Sequence, residues 1–249
     1  MIKFFRDDYG GDYMSITFCI IGAAGRMGKE IVMAASVDDR FSFVSACDVH
    51  AVGEDIGDIA ITDDIVEALS CADVAIDFAT ADGVAGRIAS AVNSGTPYVI
   101  GTTGLSGEDI NVLKEASSTI PIVYATNFSI GITMLLNTAR DLATKLPKSF
   151  DIEIVEAHHT KKKDAPSGTA LTLASAINAV RGGNIPVHAI RAGDIVGDHT
   201  IILAGPGERI EIKHQAHSRA TFANGALTAA AFLVGKTPGL YTMDNVLEH

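Results

Sequence analysis

The sequence predicts an α/β protein: a parallel sheet wrapped by helices on both faces, followed by a smaller α+β region with a mostly antiparallel sheet. Three observations carry this. From residue 15 to about 146, short apolar runs alternate with helical stretches across brief connections, the rhythm of strand–helix–strand units. The strand candidates are apolar throughout rather than alternating, as expected when both sheet faces are covered. After Asn127 the rhythm changes, and Asp151-Ile-Glu-Ile-Val-Glu156 alternates acidic and apolar residues, the period of a strand with one wet face.

Taken in order, Ile16–Ile21 is a short run rich in β-branched residues that leads into a glycine-rich turn. Lys29–Val37 has helical character, and Phe41–Cys47 is a second strand. Val74–Phe78 is a further strand, bounded by Asp73 and by Thr80-Ala81-Asp82-Gly83. Val84–Asn93 reads as a helix, Pro97–Ile100 as a strand, Glu108–Ser117 as a helix and Ile120–Tyr124 as a strand. Gly131–Leu146 suits one long amphipathic helix, and Ala170–Ala179 a second. Strands are expected at Thr200–Leu203 and Arg209–His214, joined by a turn at Ala204-Gly205-Pro206-Gly207. An Ala-rich helix covers Thr221–Val234. The change of pattern near residue 127 is the best domain boundary.

Composition narrows the function. The chain has 249 residues, of which 47% are apolar and 20% charged, so it is a globular protein rather than a disordered one. Its formal charge is −11. That argues against a partner such as nucleic acid, whose binding needs a basic face. Cys19, Cys47 and Cys71 form no Cys-x-x-Cys pair and are odd in number, which points to reduced thiols in a cytoplasmic protein rather than a disulfide framework or structural zinc. No apolar stretch reaches the ~18 residues of a membrane span. Met1–Tyr13 lacks the basic start and apolar core of a signal peptide and reads as a short extension, with Met14 an equally good start. The closing Leu-Glu-His, 247–249, reads equally as natural sequence or as an expression remnant.

Gly22-Ala23-Ala24-Gly25-Arg26-Met27-Gly28 follows the first strand and opens a helix. This G-x-x-G-x-x-G turn meets the needs of a Rossmann-like dinucleotide site. Gly22 allows the tight turn, Gly25 lets backbone approach a pyrophosphate, and Gly28 lets helix and strand pack closely. Backbone N–H groups at the helix start then face the anion. Asp48 ends the second strand, where a carboxylate accepts hydrogen bonds from an adenosine ribose. Val49 and His50 follow it, with no Arg to meet a 2′-phosphate, so NADH is favoured, while Arg26 keeps NADPH open. Gly101-Thr102-Thr103-Gly104 and Ala125-Thr126-Asn127-Phe128 follow later strands. Both fall at carboxyl ends of parallel strands, where such sheets bind ligands, and suit contact with a nicotinamide ring.

The stretch from Glu156 to Ala170, Glu-Ala-His-His-Thr-Lys-Lys-Lys-Asp-Ala-Pro-Ser-Gly-Thr-Ala, packs two His and three Lys into six residues of an acidic chain. A charge run is usually a solvated loop. This one follows a strand, which fixes the histidines, and leads into a helix that Ser167 or Thr169 could cap, with Gly168 and Thr169 N–H groups available to a carboxylate. Ammonium, imidazole and helix N-terminus together make a receptor for a small dianion, and imidazole is the side chain best suited to move a proton near neutral pH. Adjacent histidines on a strand point to opposite sides, so one does acid chemistry and the other binds or packs. Two His without a third ligand at helical spacing argue against a metal.

These motifs identify a resemblance to the 4-hydroxy-tetrahydrodipicolinate reductase (dihydrodipicolinate reductase) family. It spans about residues 15–247 and rests on Gly22-x-x-Gly25-Arg26-Met27-Gly28, Gly101-Thr102-Thr103-Gly104, Asn127-Phe128-Ser129-x-Gly131, and above all Glu156-x-His158-His159-x-x-Lys162-x-Asp164-Ala165-Pro166-Ser167-Gly168-Thr169-Ala170. Ser218-Arg219-x-x-Phe222-Ala223-x-Gly225-Ala226 also fits. The resemblance implies a dinucleotide-binding domain of residues 1–127 and 217–249, and a substrate-binding and tetramerisation domain of residues 128–216. It implies NAD(P)H-dependent reduction in lysine and diaminopimelate biosynthesis, with hydride to C4, loss of water and a proton to C3 of a small dicarboxylate. His158 matches the proton donor/acceptor and Lys162 the second catalytic residue. His159, Ser167, Gly168 and Thr169 match the substrate-holding positions. Gly22–Met27, Asp48, Gly101–Thr103 and Ala125–Phe128 match the cofactor contacts. Val49 stands where dual-cofactor members often carry Arg, Thr126 where Pro or Ser is more common, and Ala79-Thr80-Ala81-Asp82 where the family often has a Pro. A related dehydrogenase of another small dicarboxylate, or a dinucleotide-sensing module, would share the glycine turn without needing His158 and Lys162.

Overall fold

The computed structural model describes residues 4–6 and 12–248. The expected extension, Met1–Tyr13, and the closing tripeptide therefore fall partly outside the described residues. The elements are β1 (Phe4–Arg6), β2 (Asp12–Met14), β3 (Ile16–Ile21), α1 (Arg26–Ala35), β4 (Phe41–Cys47), β5 (Asp55–Ile56), β6 (Ile59–Thr62), α2 (Ile65–Ser70), β7 (Val74–Asp77), α3 (Val84–Ser94), β8 (Tyr98–Ile100), α4 (Gly107–Ala116) and β9 (Pro121–Tyr124). There follow α5 (Ile130–Lys145), β10 (Asp151–His158), α6 (Gly168–Arg181), β11 (Val187–Arg191), β12 (Gly197–Gly205), β13 (Glu208–Ala216), α7 (Ala220–Leu233), β14 (Gly239–Tyr241) and α8 (Met243–Leu247). The chain divides into two compact units, residues 1–128 with 222–249, and residues 129–221.

The first unit holds a sheet in the order β14-β9-β8-β7-β3-β4-β6-β5, parallel except for the short β5–β6 pair. Its central strands are buried on both faces, which is why they read as unbroken apolar runs. On β3, Phe18 and Ile20 join the core beneath α1, α7 and α8, while Cys19 and Ile21 face the core beneath α2, α3 and α4. The helix α7 brings Ala223, Ala226, Leu227, Ala230 and Leu233 into the first of these cores. Its Gly225 admits no side chain, because a Cβ there would lie 1.7 Å from the Phe128 carbonyl oxygen. β1 and β2 pair as a separate antiparallel ribbon.

The second unit carries four strands in the order β11-β10-β12-β13. β10–β12 and β12–β13 are antiparallel and β10–β11 is parallel, so the sheet is mostly antiparallel. Ile152, Ile154, Ile201 and Leu203 pack beneath Ile132 and Leu135 of α5 and Leu173 and Ile177 of α6. The alternation seen in the sequence continues past Glu156: Ile152, Ile154, Glu156 and His158 all turn inward. One face of β10 thus changes along its length from apolar to ionisable. The strand β11 escapes the sequence reading because none of its residues is fully buried, leaving no apolar period to detect. β5, β6, α2, β14 and α8 were equally silent, each being six residues or shorter.

Candidate active site

The glycine turn is built by sterics. Gly22 sits at φ +80, and a Cβ on it would lie 2.8 Å from Ala79 N. A Cβ on Gly28 would lie 2.5 Å from the Gly22 carbonyl oxygen. At Gly25 the corresponding contact is 3.1 Å, and Gly25 itself is the N-cap of α1 with no side-chain hydrogen bond at the cap. The first-turn N–H groups of α1 are therefore free of side-chain caps, as an anion site requires. Asp48 follows β4, and its carboxylate accepts from Ala24 N–H at 3.0 Å and from His50 N–H at 2.9 Å. Gly22, Ala24, Gly25, Asp48, Thr80, Arg87 and Thr103 line a cleft of about 970 Å³. Its size, its glycine lining and the Asp48 carboxylate fit a dinucleotide.

The other expected cofactor positions range from exposed to buried, with Gly101, Ala125 and Asn127 half-buried. Thr103 and Thr126 are exposed, while Ala23, Thr102 and Phe128 are buried. The Thr102 hydroxyl donates to Asp77 Oδ1 at 3.3 Å, and Phe128 packs on Phe78 with ring centroids 5.4 Å apart. A Cβ on Gly101 would come within 2.3 Å of the Phe78 ring. These residues shape the loops from inside. Arg26, the first residue of α1, is exposed, and Met27 is half-buried against the core.

In the second unit an ionic cluster closes the inner face of β10. Glu156 is wholly buried. Its Oε2 meets His158 Nδ1 at 2.5 Å, and Arg191 grips both oxygens, Nη1 to Oε2 at 2.9 Å and Nη2 to Oε1 at 2.8 Å. Ser167 N–H donates to Oε1 at 3.1 Å. Burial raises the Glu156 pKa, but the Arg191 fork, His158 and the Ser167 N–H outweigh it, so the carboxyl is held below its usual range. Because Glu156 occupies Nδ1, His158 presents Nε2. Gly197 faces that atom, where a Cβ would lie at 3.1 Å.

A second imidazole, His199, stands edge-on to His158 with ring centroids 5.3 Å apart. Burial first, and then the neighbouring His158, push its pKa down to about 4. It is neutral near pH 7 and lies 3.4 Å from the Ser167 hydroxyl through Nε2. The carboxylate-backed ring, His158, is thus the one equipped to carry a proton.

Ser167 is the N-cap of α6, its Oγ accepting from Ala170 N–H at 3.3 Å. Gly168 is exposed and Thr169 half-buried on the first turn, after a cis Ala165–Pro166 bond. Lys162 pairs with Asp164 Oδ2 at 2.9 Å. His159 Nδ1 is buried with no hydrogen-bond partner among the described residues. Among the described residues, no three His, Cys, Asp or Glu side chains are placed to hold a metal, and no helix is long and apolar enough to cross a membrane.

The structure thus gathers His158, Ser167 and the start of α6 around Glu156. The sequence sets Glu156 at the head of the motif without marking a role for it, and leaves Arg191, His199 and Gly197 unmarked. The available signal for Glu156 was its place in the β10 alternation, two residues before His158. Arg191 lies 35 residues away from Glu156, and nothing local marks it.

Known proteins resemble this chain along nearly its whole length. A family model described as dihydrodipicolinate reductase, N-terminus, matches residues 16–128, and one described as dihydrodipicolinate reductase, C-terminus, matches residues 131–247. A 4-hydroxy-tetrahydrodipicolinate reductase of Caldanaerobacter subterraneus subsp. tengcongensis is 41% identical over 253 residues, covering 94% of this chain and 99% of the relative. One from Alkalilimnicola ehrlichii is 41% identical over 265 residues, with the same two shares. A solved structure described as a dipicolinate-bound dihydrodipicolinate reductase, from Paenisporosarcina sp. TG-14, matches with a TM-score of 0.81 at 25% identity, covering 92% of this chain and 98% of that one. With a glycine turn and a buried histidine–carboxylate site both in place, and family models matching each part, the chain belongs to the dihydrodipicolinate reductase family.

Proposed function

We propose that this chain is an NAD(P)H-dependent 4-hydroxy-tetrahydrodipicolinate reductase of lysine and diaminopimelate biosynthesis. Loss of the 4-hydroxyl as water leaves a conjugated ring whose C4 accepts a hydride and whose C3 accepts a proton. When bound, the reduced nicotinamide supplies that hydride. The observation that carries the reading is the bond from Glu156, itself held by Arg191, to His158 Nδ1, which equips one imidazole to deliver a proton through Nε2.

The chain's own residues do the rest. His158 gives the proton to C3, and Glu156 stabilises the imidazolium beforehand. Lys162, released from Asp164, gives a proton to the departing 4-hydroxyl and regains one as C3 loses its proton to form the ring double bond, before the hydride and the His158 proton arrive. His159, Ser167 and the N–H groups of Gly168 and Thr169 hold the substrate carboxylates, where the start of α6 favours negative charge. Gly22–Met27 seat the pyrophosphate and Asp48 the adenosine ribose. Gly101–Thr103 and Ala125–Phe128 form the nicotinamide end, Thr102 and Phe128 acting from beneath. Asp48 repels a 2′-phosphate and no Arg follows it, so NADH is the preferred cofactor. A homotetramer built by the second unit and a cytoplasmic location belong to the same reading.

The test is oxidation of NADH and NADPH at 340 nm, with substrate made in situ by the preceding synthase from pyruvate and aspartate semialdehyde. Turnover that depends on the synthase product is the expected result. A protein that binds NADH but turns over neither cofactor would instead be a related dehydrogenase or a sensing module.

A further inference from the structure

Beneath the dinucleotide cleft lies a buried ion pair that the chemistry above does not use. Asp77 ends β7 and is wholly buried. Its Oδ2 accepts from Arg87 Nε at 2.8 Å and from the Tyr98 hydroxyl at 3.0 Å. Its Oδ1 accepts from Ala79 N–H at 2.9 Å and from the Thr102 hydroxyl at 3.3 Å. Its main-chain carbonyl accepts from Gly101 N–H at 2.8 Å. Arg87, one turn into α3, reaches back over the preceding loop, with Nη1 donating to the Asp82 carbonyl and Nη2 to the Thr80 carbonyl, each at 2.7 Å. The N-cap of α3 is Gly83 at φ +74, with no side-chain cap, so the Arg87 fork takes the place of a cap as the tie on this loop.

One ion pair therefore holds two loops, residues 78–83 after β7 and residues 101–103 after β8. Both contribute to the wall of the cleft. A buried ion pair adds little net stability over a well-packed apolar pair. What it adds is geometry, because the planar guanidinium fixes its acceptors in one arrangement. We infer that Arg87, with Asp77, is a positioning residue for the dinucleotide: it holds both cleft loops in the accepting shape before the cofactor arrives. The inference rests on the cofactor reading given above. It differs from a direct contact, in which Arg87 would meet a phosphate of the ligand.

The test is the substitution Arg87→Lys, which keeps a charge beside Asp77 but cannot span the two carbonyls. The first readout is nucleotide affinity, from the fluorescence of NADH and NADPH titrated with protein. The dissociation constants for both are expected to rise by the same factor, about tenfold. In steady-state assays KM for either cofactor should rise similarly while kcat at saturation stays within about threefold. The thermal midpoint should move little. Unchanged affinity in the folded variant overturns the inference, and so does a loss confined to NADPH, which would mark a direct phosphate contact. If Arg87→Lys does not fold, Thr102→Val removes one hydroxyl from Asp77 and is expected to weaken both nucleotides by about threefold; no change there overturns the inference equally. A parent protein that binds NADH without turning over the synthase product would sink the proposed function while leaving this affinity test intact.

Discussion

The glycine turn of the first unit and the ionic cluster of the second are built by opposite means. At residues 22–28 the structure works by removal, with glycines where side chains would strike backbone and α1 starting without a side-chain cap. At Glu156 it works by addition: one buried carboxylate receives a guanidinium fork, an imidazole and a main-chain N–H. The first arrangement uses dipoles fixed by the main chain and no net charge, which suits a ligand gripped equally before and during reaction. The second concentrates ionisable groups whose neighbours set their protonation, which suits a group that must exchange a proton. Substitutions in the second region should therefore fall on kcat, and those in the first on cofactor affinity.

The sharpest break of that contrast is at His158. His158→Ala should lower kcat by roughly 10²–10⁴-fold with the NADH dissociation constant unchanged, as read by steady-state kinetics and fluorescence titration. Next, Glu156→Gln keeps the shape but removes the charge that stabilises the imidazolium, and should lower kcat by about 10²-fold. A kcat equal to the parent's would reduce the cluster to a structural role.

His199 offers a stability test of the same region. Its folded pKa, about 4, lies below its ordinary value near 6.5. Between those values the unfolded chain binds more protons than the folded one, so stability is complete above about pH 6.5 and falls as pH drops toward 4. The loss assigned to this residue is on the order of 3 kcal/mol. Urea unfolding across that range should show a shallower fall in His199→Asn than in the parent.

The first region should answer differently. Gly28→Ala forces a Cβ against the Gly22 carbonyl, and should cost ~1–3 kcal/mol, measured as lost NADH affinity and a lower unfolding midpoint. Asp48→Ala is milder. It removes the proposed ribose acceptor and the hydrogen bond from Ala24 N–H, and should raise KM for NADH about tenfold with little change in kcat. It should also narrow the gap between NADH and NADPH, which parallel assays would measure.

The two regions also differ in how readable they are. Steric need leaves a residue type at a fixed spacing, so Gly22, Gly25 and Gly28 could be read from seven consecutive positions. The His158–Lys162–Ser167 stretch was equally compact. The partners that give His158 its environment were not, because a strand recruits them sideways. Arg191 comes from β11, paired in parallel with β10, and His199 from β12, where it lies opposite Glu156. Register across a sheet is set by backbone pairing that a linear scan does not contain. The same holds for Arg87, whose fork is visible only once the loop after β7 is folded back on it.

The helix α7 completes the core over one face of the parallel sheet, yet it follows the whole of the second unit in the chain. A ribosome making this protein releases β3 to β9 well before the residues that roof them. At roughly 5–20 residues per second, the interval from Phe128 to Leu233 is about 5–20 s. Throughout it, Phe18, Ile20, Val99 and Val123 lack the alanine-rich surface that buries them. This apolar face of the nascent sheet stays unroofed until α7 lays Gly225 against the Phe128 carbonyl.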